Sequence, residues 1–273
     1  MMSLRLPLLA LAAMLVPAAV AAELSKDDVK KVLDENPGLV LDVLRQNRKE
    51  FFEVVKQAAQ DEQANRQKEQ QEAQAKELDE RIKNPLKPEI TKKTRIRGNA
   101  KAKYTLVEYS DFQCPFCGPK APSGNIGGYK IAETLREKYG KDLRFVFKNK
   151  PLPFHTQAMP AAQWFEAATL QSHEKAWSFH DKIFENQDKL GDALYEETAK
   201  GLGLDVGKLK KDLQSQAVKD AIAADVKEAE SLGFDGTPGF LINGVPVRGA
   251  YPPEHFDMII QKVEEAAKAP KKG

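Results

Sequence analysis

Cysteine is nearly missing from this chain: 273 residues contain two, Cys114 and Cys117, separated by two residues. That scarcity excludes a disulfide-stapled scaffold, because a bridge across so short a gap removes little freedom from the unfolded chain. A zinc site would need two further ligands, and His155, His173, His180 and His255 show no paired ligand spacing. An excess of one charge is missing too, with 42 Lys and Arg against 40 Asp and Glu. Such a balance offers no electrostatic footprint for nucleic acid. After the first two dozen residues no apolar run is long enough to span a bilayer.

The N-terminal run reads as an address. Arg5 precedes an apolar stretch from Leu6 to Val20, and Ala19-Val20-Ala21 (or Val20-Ala21-Ala22) offers a small-residue cleavage site. Residues 1–22 are therefore read as a secretory signal peptide. A membrane anchor would need about 20 apolar residues, and Pro7 and Pro17 interrupt this stretch. Export would place the mature chain in an oxidising compartment.

The two cysteines close the run Glu108-Tyr-Ser-Asp-Phe-Gln-Cys114-Pro115-Phe116-Cys117, just after an apolar segment, Tyr104 to Tyr109. A Cys-x-x-Cys between a predicted strand and a predicted helix reads as a redox-active thiol pair. The pattern puts Cys114 at a helix start, where unpaired N–H groups and the helix dipole favour a thiolate. The stretch Gly118 to Gly128 is rich in glycine and proline. It predicts a short turn at the cysteines, a break, and a helix from about Tyr129 to Lys138.

Around this core the chain divides. Residues 23–59 predict a small helical module. Ser25 and Asp28 form a capping box with Leu24 and Val29 as staple, and Asn36-Pro37 starts a second helix with Asn36 as its N-cap. Val40, Leu44, Phe51, Val55 and Ala58 then fall on one face. Such a face must dock on the rest of the chain or on other copies of it. Residues 60–88 read as a charged helical linker, with Glu62/Arg66, Glu72/Lys76, Glu77/Arg81 and Asp79/Lys83 at i, i+4 spacing and no coiled-coil seam. Asn84-Pro85 ends that helix.

Residues 89–270 alternate strand-like and helix-like segments, an α/β pattern. Leu143–Lys148 predicts a second strand. A helical block covers about 152–232, with breaks near Ser172, Gly191, Gly201 and Leu204-Asp205. Within it Trp164, Phe165, Trp177, Phe179 and Phe184 read as core. Gly236-Thr237-Pro238-Gly239 turns into a strand, Asn243-Gly244 makes a hairpin, and a last helix runs from Pro253 to Ala267.

This order, with the Cys-x-x-Cys run, Asn149-Lys-Pro-Leu-Pro-Phe-His155 and Gly-Thr237-Pro238-Gly-Phe-Leu-Ile-Asn-Gly, resembles the exported DsbA-like thiol–disulfide oxidoreductases. The resemblance implies a thioredoxin fold with an inserted helical domain. The helical preamble is similar to the oligomerisation stalk of ScsC and Com1 types, in which two or three protomers share a stalk. By this likeness Cys114 is the nucleophile and Cys117 resolves the mixed disulfide. Thr237-Pro238 would be the cis-proline turn that receives substrate beside Pro115 and Phe116, and Glu108 would move the proton of Cys117. Phe116 replaces a potentially cationic histidine of strong oxidases, which implies a less extreme Cys114 pKa and a less oxidising couple. His155 reads as a structural loop histidine.

The resemblance implies no cofactor beyond the Cys114–Cys117 disulfide itself. Its implied partners are cysteine-containing envelope proteins, a membrane redox partner of DsbD or DsbB type, and further copies of the chain through residues 23–59. Three functions stay open: an oligomeric disulfide isomerase or reductase, a dithiol oxidase, and a copper-binding or chaperone protein using the soft sulfurs.

Overall fold

Serine and asparagine set the helix ends of the N-terminal part. In the computed structural model, which describes residues 25–91, 94–122 and 124–268, α1 (Lys26–Glu35) begins with the expected capping box. Asp28 N–H donates to Ser25 Oγ at 3.2 Å, and Ser25 N–H donates to the Asp28 carboxylate at 3.0 Å. The expected staple involves Leu24, which lies outside the described residues, as does the expected signal peptide.

Asn36 does not cap the second helix with its side chain. Its Nδ2 turns back to the Val32 carbonyl at 3.0 Å and closes α1, and Asn47 closes α2 (Gly38–Gln46) the same way on Val43 at 2.9 Å. An amide side chain can satisfy an orphan carbonyl as readily as an orphan N–H, so asparagine alone does not say which end it closes. A third helix, α3 (Arg48–Lys83), follows Asn47.

The chain separates into two compact units, residues 1–70 and 71–273. None of the described residues of α1 and α2 is buried, and Val40, Phe51, Phe52 and Val55 are among the exposed apolar side chains. In the second unit the end of α3 lays Leu78 and Ile82 on the core. Glu62 pairs with Arg66 at 3.6 Å, as their spacing predicts, whereas Glu77 reaches Arg248 at 3.0 Å.

A five-stranded sheet organises the second unit. Its strands are β1 (Ile96–Arg97), β2 (Tyr104–Ser110), β3 (Leu143–Asn149), β4 (Gly239–Ile242) and β5 (Val245–Arg248), in the order β1-β3-β2-β4-β5. β2 and β3 run parallel, and the other pairs are antiparallel. β2 lies at the centre, apolar and buried on both faces, so it reads as a nearly continuous hydrophobic run. The Asn243-Gly244 hairpin forms with φ of 49° and 85°, the positive values a two-residue type I′ turn needs.

Two layers cover the sheet. On one side α4 (Gly128–Tyr139) contributes Ile131, Ala132 and Leu135. The helices α5 (Ala158–Gln171), α6 (His173–Glu185), α7 (Asp192–Gly201) and α8 (Val206–Asp212) follow β3, with breaks at Ser172, Gly191 and Gly201–Asp205 as expected. α9 (Gln216–Ser231) sends Ala229 to the opposite face, against Val107, Tyr109 and Leu241. Finally α10 (Pro253–Lys268) packs Phe256, Ile259 and Ile260 on the first face. All five aromatics assigned to the helical core are buried. His180 joins them, 4.6 Å from the Phe147 ring and 5.2 Å from that of Trp177, and burial pushes its pKa down to about 4.

A buried ion cluster ties the layers to the end of β3. Arg95 donates to Glu166 at 3.0 Å, to Asp225 at 2.7 Å and to the Phe147 carbonyl at 3.3 Å. The same carboxylates hold Asn149: its N–H reaches Asp225 at 3.0 Å and its side-chain amide reaches Glu166 at 2.6 Å. This fixes the point from which the loop 150–157 leaves toward the thiol pair.

Candidate active site

Beyond Ser110 the chain leaves the sheet at its centre, and Asp111 organises the loop that follows. This buried carboxylate accepts the Gln113 N–H at 2.7 Å on one oxygen. Its other oxygen takes the Leu152 N–H at 2.9 Å and His155 Nδ1 at 2.7 Å. His155 is therefore a loop fastener, as its sequence context implied. Gln113 extends the seam by accepting the Gln157 N–H at 2.5 Å. From the helical block, Gln187 Nε2 donates to the carbonyls of Phe112 (2.9 Å) and Cys114 (2.8 Å).

The cysteines sit on a single turn, followed by a break and then regular helix, as the glycine- and proline-rich stretch predicts. Cys117 N–H donates to the Cys114 carbonyl at 2.9 Å, and regular helix begins only at Gly128. The turn is nevertheless stacked on α4. The carbonyls of Phe116 and Cys117 accept the N–H groups of Gly128 (2.9 Å) and Tyr129 (2.7 Å), as a preceding helical turn would. Residues 118–127 are thus an excursion looped out of one helical path. The reason is close approach: a Cβ on Gly127 would lie 2.2 Å from the Gly118 carbonyl oxygen, and one on Gly128 2.6 Å from Glu108 Oε1.

Cys114 and Cys117 are free thiols, 3% and 0% exposed. Opposite them the Thr237–Pro238 peptide is cis, and the Cys114 thiol donates to the Thr237 carbonyl at 3.4 Å. The two sulfurs titrate in opposite directions. A hydrogen bond from Cys117 brings Cys114 down to about 6, assisted by Thr237 and the Phe116 N–H and opposed by burial and Asp111. The Thr237 hydroxyl is buried and has no other partner, so it is free to turn toward a thiolate. Burial, then the neighbouring Cys114, then the Glu108 charge, raise Cys117 well above an ordinary thiol. Near neutral pH Cys114 is a thiolate and Cys117 a thiol, the division a nucleophile and a resolving partner need. Replacing Cys117 by alanine is expected to raise the Cys114 pKa above 6, read as the pH dependence of its alkylation; an unchanged inflection would reject the thiol–thiolate hydrogen bond as its cause.

Glu108 lies under this pair, wholly buried at mid-β2 between Phe147 of β3 and Phe240 of β4. Burial raises its pKa to about 8. Ser110 Oγ donates to its Oε1 at 2.7 Å, and Oε2 has no partner. Pro238 closes on the same spot, since a Gly128 Cβ would meet it at 3.1 Å. Phe116 is 45% exposed on the outer side of the turn.

The predicted residues Cys114, Cys117, Glu108, Thr237 and Pro238 are thus brought together from two distant segments. Ser110, Asp111, Gln113, Gly128 and Gln187 were not singled out from sequence. The first three lie inside the recognised run, but nothing in residue order marks Gln187 as a neighbour of Cys114.

A dithiol of unequal acidity thus faces a cis-proline on a thioredoxin sheet with an inserted helical block. A family model described as Thioredoxin matches residues 90–262, and the chain belongs to that family, with DsbA-like architecture. Among curated relatives, a Na(+)/H(+) antiporter NhaA of Herminiimonas arsenicoxydans is 36% identical over 167 residues, covering 61% of this chain and 24% of the antiporter. The chain spans about a quarter of the length of such relatives, and among the described residues no helix is long and apolar enough to cross a membrane. A thioredoxin-like oxidoreductase from Silicibacter pomeroyi superposes with a TM-score of 0.54 at 24% identity, covering 66% of this chain and 95% of that one. A linker-deletion variant of Proteus mirabilis ScsC gives a TM-score of 0.52 at 21% identity, covering 90% of this chain and 99% of that one.

Proposed function

We propose that the protein is an exported, periplasmic enzyme that exchanges disulfides with cysteine-containing envelope proteins, acting as an oligomeric isomerase or reductase. The observation that carries this reading is the solvent-facing apolar surface of α1, α2 and the start of α3, ahead of a complete thiol site. Two short helices and part of a third cannot bury such a face alone. Pairing copies through residues 23–59 would hide it and present several thiol pairs to one misfolded substrate. A Cys114 pKa of about 6, well above the lowest values such thiols reach, favours a moderate couple over a strongly oxidising one. A DsbD-type membrane donor would then keep the pair reduced. The redox group is the Cys114–Cys117 disulfide, with no other cofactor and no nucleic-acid partner.

A form beginning at Gln71 keeps Leu78 and Ile82 against the core and so tests the preamble cleanly. It is expected to be monomeric by light scattering and to exchange with small disulfides like the full chain. Rescue of a scrambled disulfide substrate should fall on the order of 10²-fold, the scale of lost effective concentration. Equal rescue by both forms would reject the isomerase reading, and thiols found oxidised in the envelope would point to an oxidase with a DsbB-type partner. Cu(I) affinity that disappears in Cys114→Ser while exchange is absent from the wild type would favour the copper reading.

A further inference from the structure

Ser110 is a buried hydroxyl at the end of β2, and its surroundings fit one task. On this strand Leu106 and, past its end, Phe112 face the layer that contains both cysteines, while Val107 and Tyr109 face the other. Strand alternation therefore turns Glu108 and Ser110 toward the cysteines. Ser110 Oγ donates to Glu108 Oε1 at 2.7 Å, and a hydrogen bond from Ser110 opposes the burial that raises the Cys117 pKa. A hydroxyl has one proton to give and lone pairs to receive another. Placed between a thiol and a carboxylate, it can accept from the first while donating to the second.

The groups around this line are few. Cys114, Cys117 and Glu108 are its titratable members, with the Asp111 charge acting on Cys114. β3 and β4 present Phe147 and Phe240 beside Glu108, and α4 and the cis-proline turn present Gly128 and Pro238. The absent side chain at Gly128 lets the carboxyl group occupy this place. Glu108 Oε2, buried without a partner, leaves Oε1 as the oxygen already engaged with Ser110.

We propose that the Ser110 hydroxyl carries the proton between Cys117 and Glu108 in the resolving step of disulfide exchange. The proposal rests on the exchange reading above and names a further catalytic residue for it. With a substrate sulfur joined to Cys114 Sγ, the Cys117 thiol proton passes to Ser110 Oγ as the serine's own proton passes to Glu108 Oε1. The Cys117 thiolate attacks Cys114 Sγ. The Cys114–Cys117 bond forms and the Cys114–substrate bond breaks. Its electron pair leaves on the substrate thiolate, which takes a proton from water. The protein dithiol is oxidised by two electrons and the substrate disulfide is reduced. Glu108 holds the transferred proton as a neutral acid and returns it by the same route when the pair is reduced again.

Reduced full-length protein mixed with an aromatic disulfide that releases a coloured thiolate at each step separates the two stages. The first release reports attack by Cys114 and the second reports resolution by Cys117. Ser110→Ala is expected to leave the first phase unchanged and slow the second on the order of 10²-fold, the lower end of what positioned proton transfer contributes. Ser110→Thr should recover most of that loss. Ser110→Ala combined with Glu108→Gln should lose no more than Glu108→Gln alone, because both lie on one path. A second phase within about twofold of the wild type in Ser110→Ala, or losses that multiply in the double variant, would overturn the relay. For a readout independent of variant folding, the wild-type second phase can be followed in mixtures of light and heavy water. A bowed dependence is expected for two protons in transit, and a straight line overturns the proposal. A wild type that gives the first phase and no second overturns the relay and the exchange reading together, whereas a normal second phase indifferent to Ser110 overturns the relay alone.

Discussion

Replacing Glu108 by glutamine is expected to make the reduced protein more stable and a worse enzyme. Burial holds the Glu108 pKa at about 8, against 4.5 for an ordinary glutamate. A rise of that size corresponds to a cost on the order of 5 kcal/mol for keeping the carboxylate ionised in the fold. The sign follows from the direction of the rise. Stability that the neutral acid retains below pH 4.5 is lost as pH climbs through about 8. Glutamine stays neutral throughout, and its amide oxygen can still accept from Ser110. An unpaired amide NH2 group offsets part of the gain, at about 1–3 kcal/mol. Urea unfolding of the reduced protein should therefore show Glu108→Gln ahead by a few kcal/mol above about pH 8 and near or below the wild type under about pH 4.5. In the same variant the resolving step should slow by about 10²–10⁴-fold with the Cys114 step intact. A stability difference that does not change with pH would show that the carboxylate is not held in the way its burial implies.

Arg95→Met is expected to cost about 3–5 kcal/mol of stability, because it strands two carboxylates that the guanidinium neutralises. Arg95, Glu166 and Asp225 are all nearly buried, and their contacts are 2.7–3.0 Å. Burial already lifts Glu166 to about 7 and raises Asp225 while Arg95 opposes it. Without Arg95 both should rise further. Their destabilising charge appears above the unfolded carboxylate values and is full only above the folded ones. The variant should be least stable at neutral to alkaline pH and recover toward the wild type near pH 4. Because Asn149 depends on the same carboxylates, the loop that meets Asp111 should loosen as well. Chemical denaturation across pH measures the first effect. A loss under about 1 kcal/mol at neutral pH would mean that the cluster is not maintained as a charged network.

Much of this was readable from residue order. The apolar run at Tyr104–Tyr109, the Asn243-Gly244 turn and the caps and glycines between the helices each impose their element locally, through strand propensity, positive φ or an end-capping hydrogen bond. β1 was not read, being two residues long, too short for any periodicity. The breaks at Asn186–Lys189 and Ser215 were passed over for a similar reason: a 3₁₀ turn and a serine cap leave the helical pattern almost undisturbed. Asn36 was read at the wrong helix end because one amide suits both.

By itself the sequence determined that a dithiol lies beside the central strand, that a glutamate is embedded in that strand, and that a proline turn begins a later one. Tertiary structure alone decided what those residues are to each other. How the turn at the cysteines is joined to α4 depends on Gly127 folding back onto Gly118, a contact with no local signature. The acidity of Cys114, the reluctance of Cys117 and the raised pKa of Glu108 come from burial and from sulfurs and oxygens meeting across one small volume. Burial is a property of the packed sheet and its helices, so no reading of neighbours along the chain could supply it.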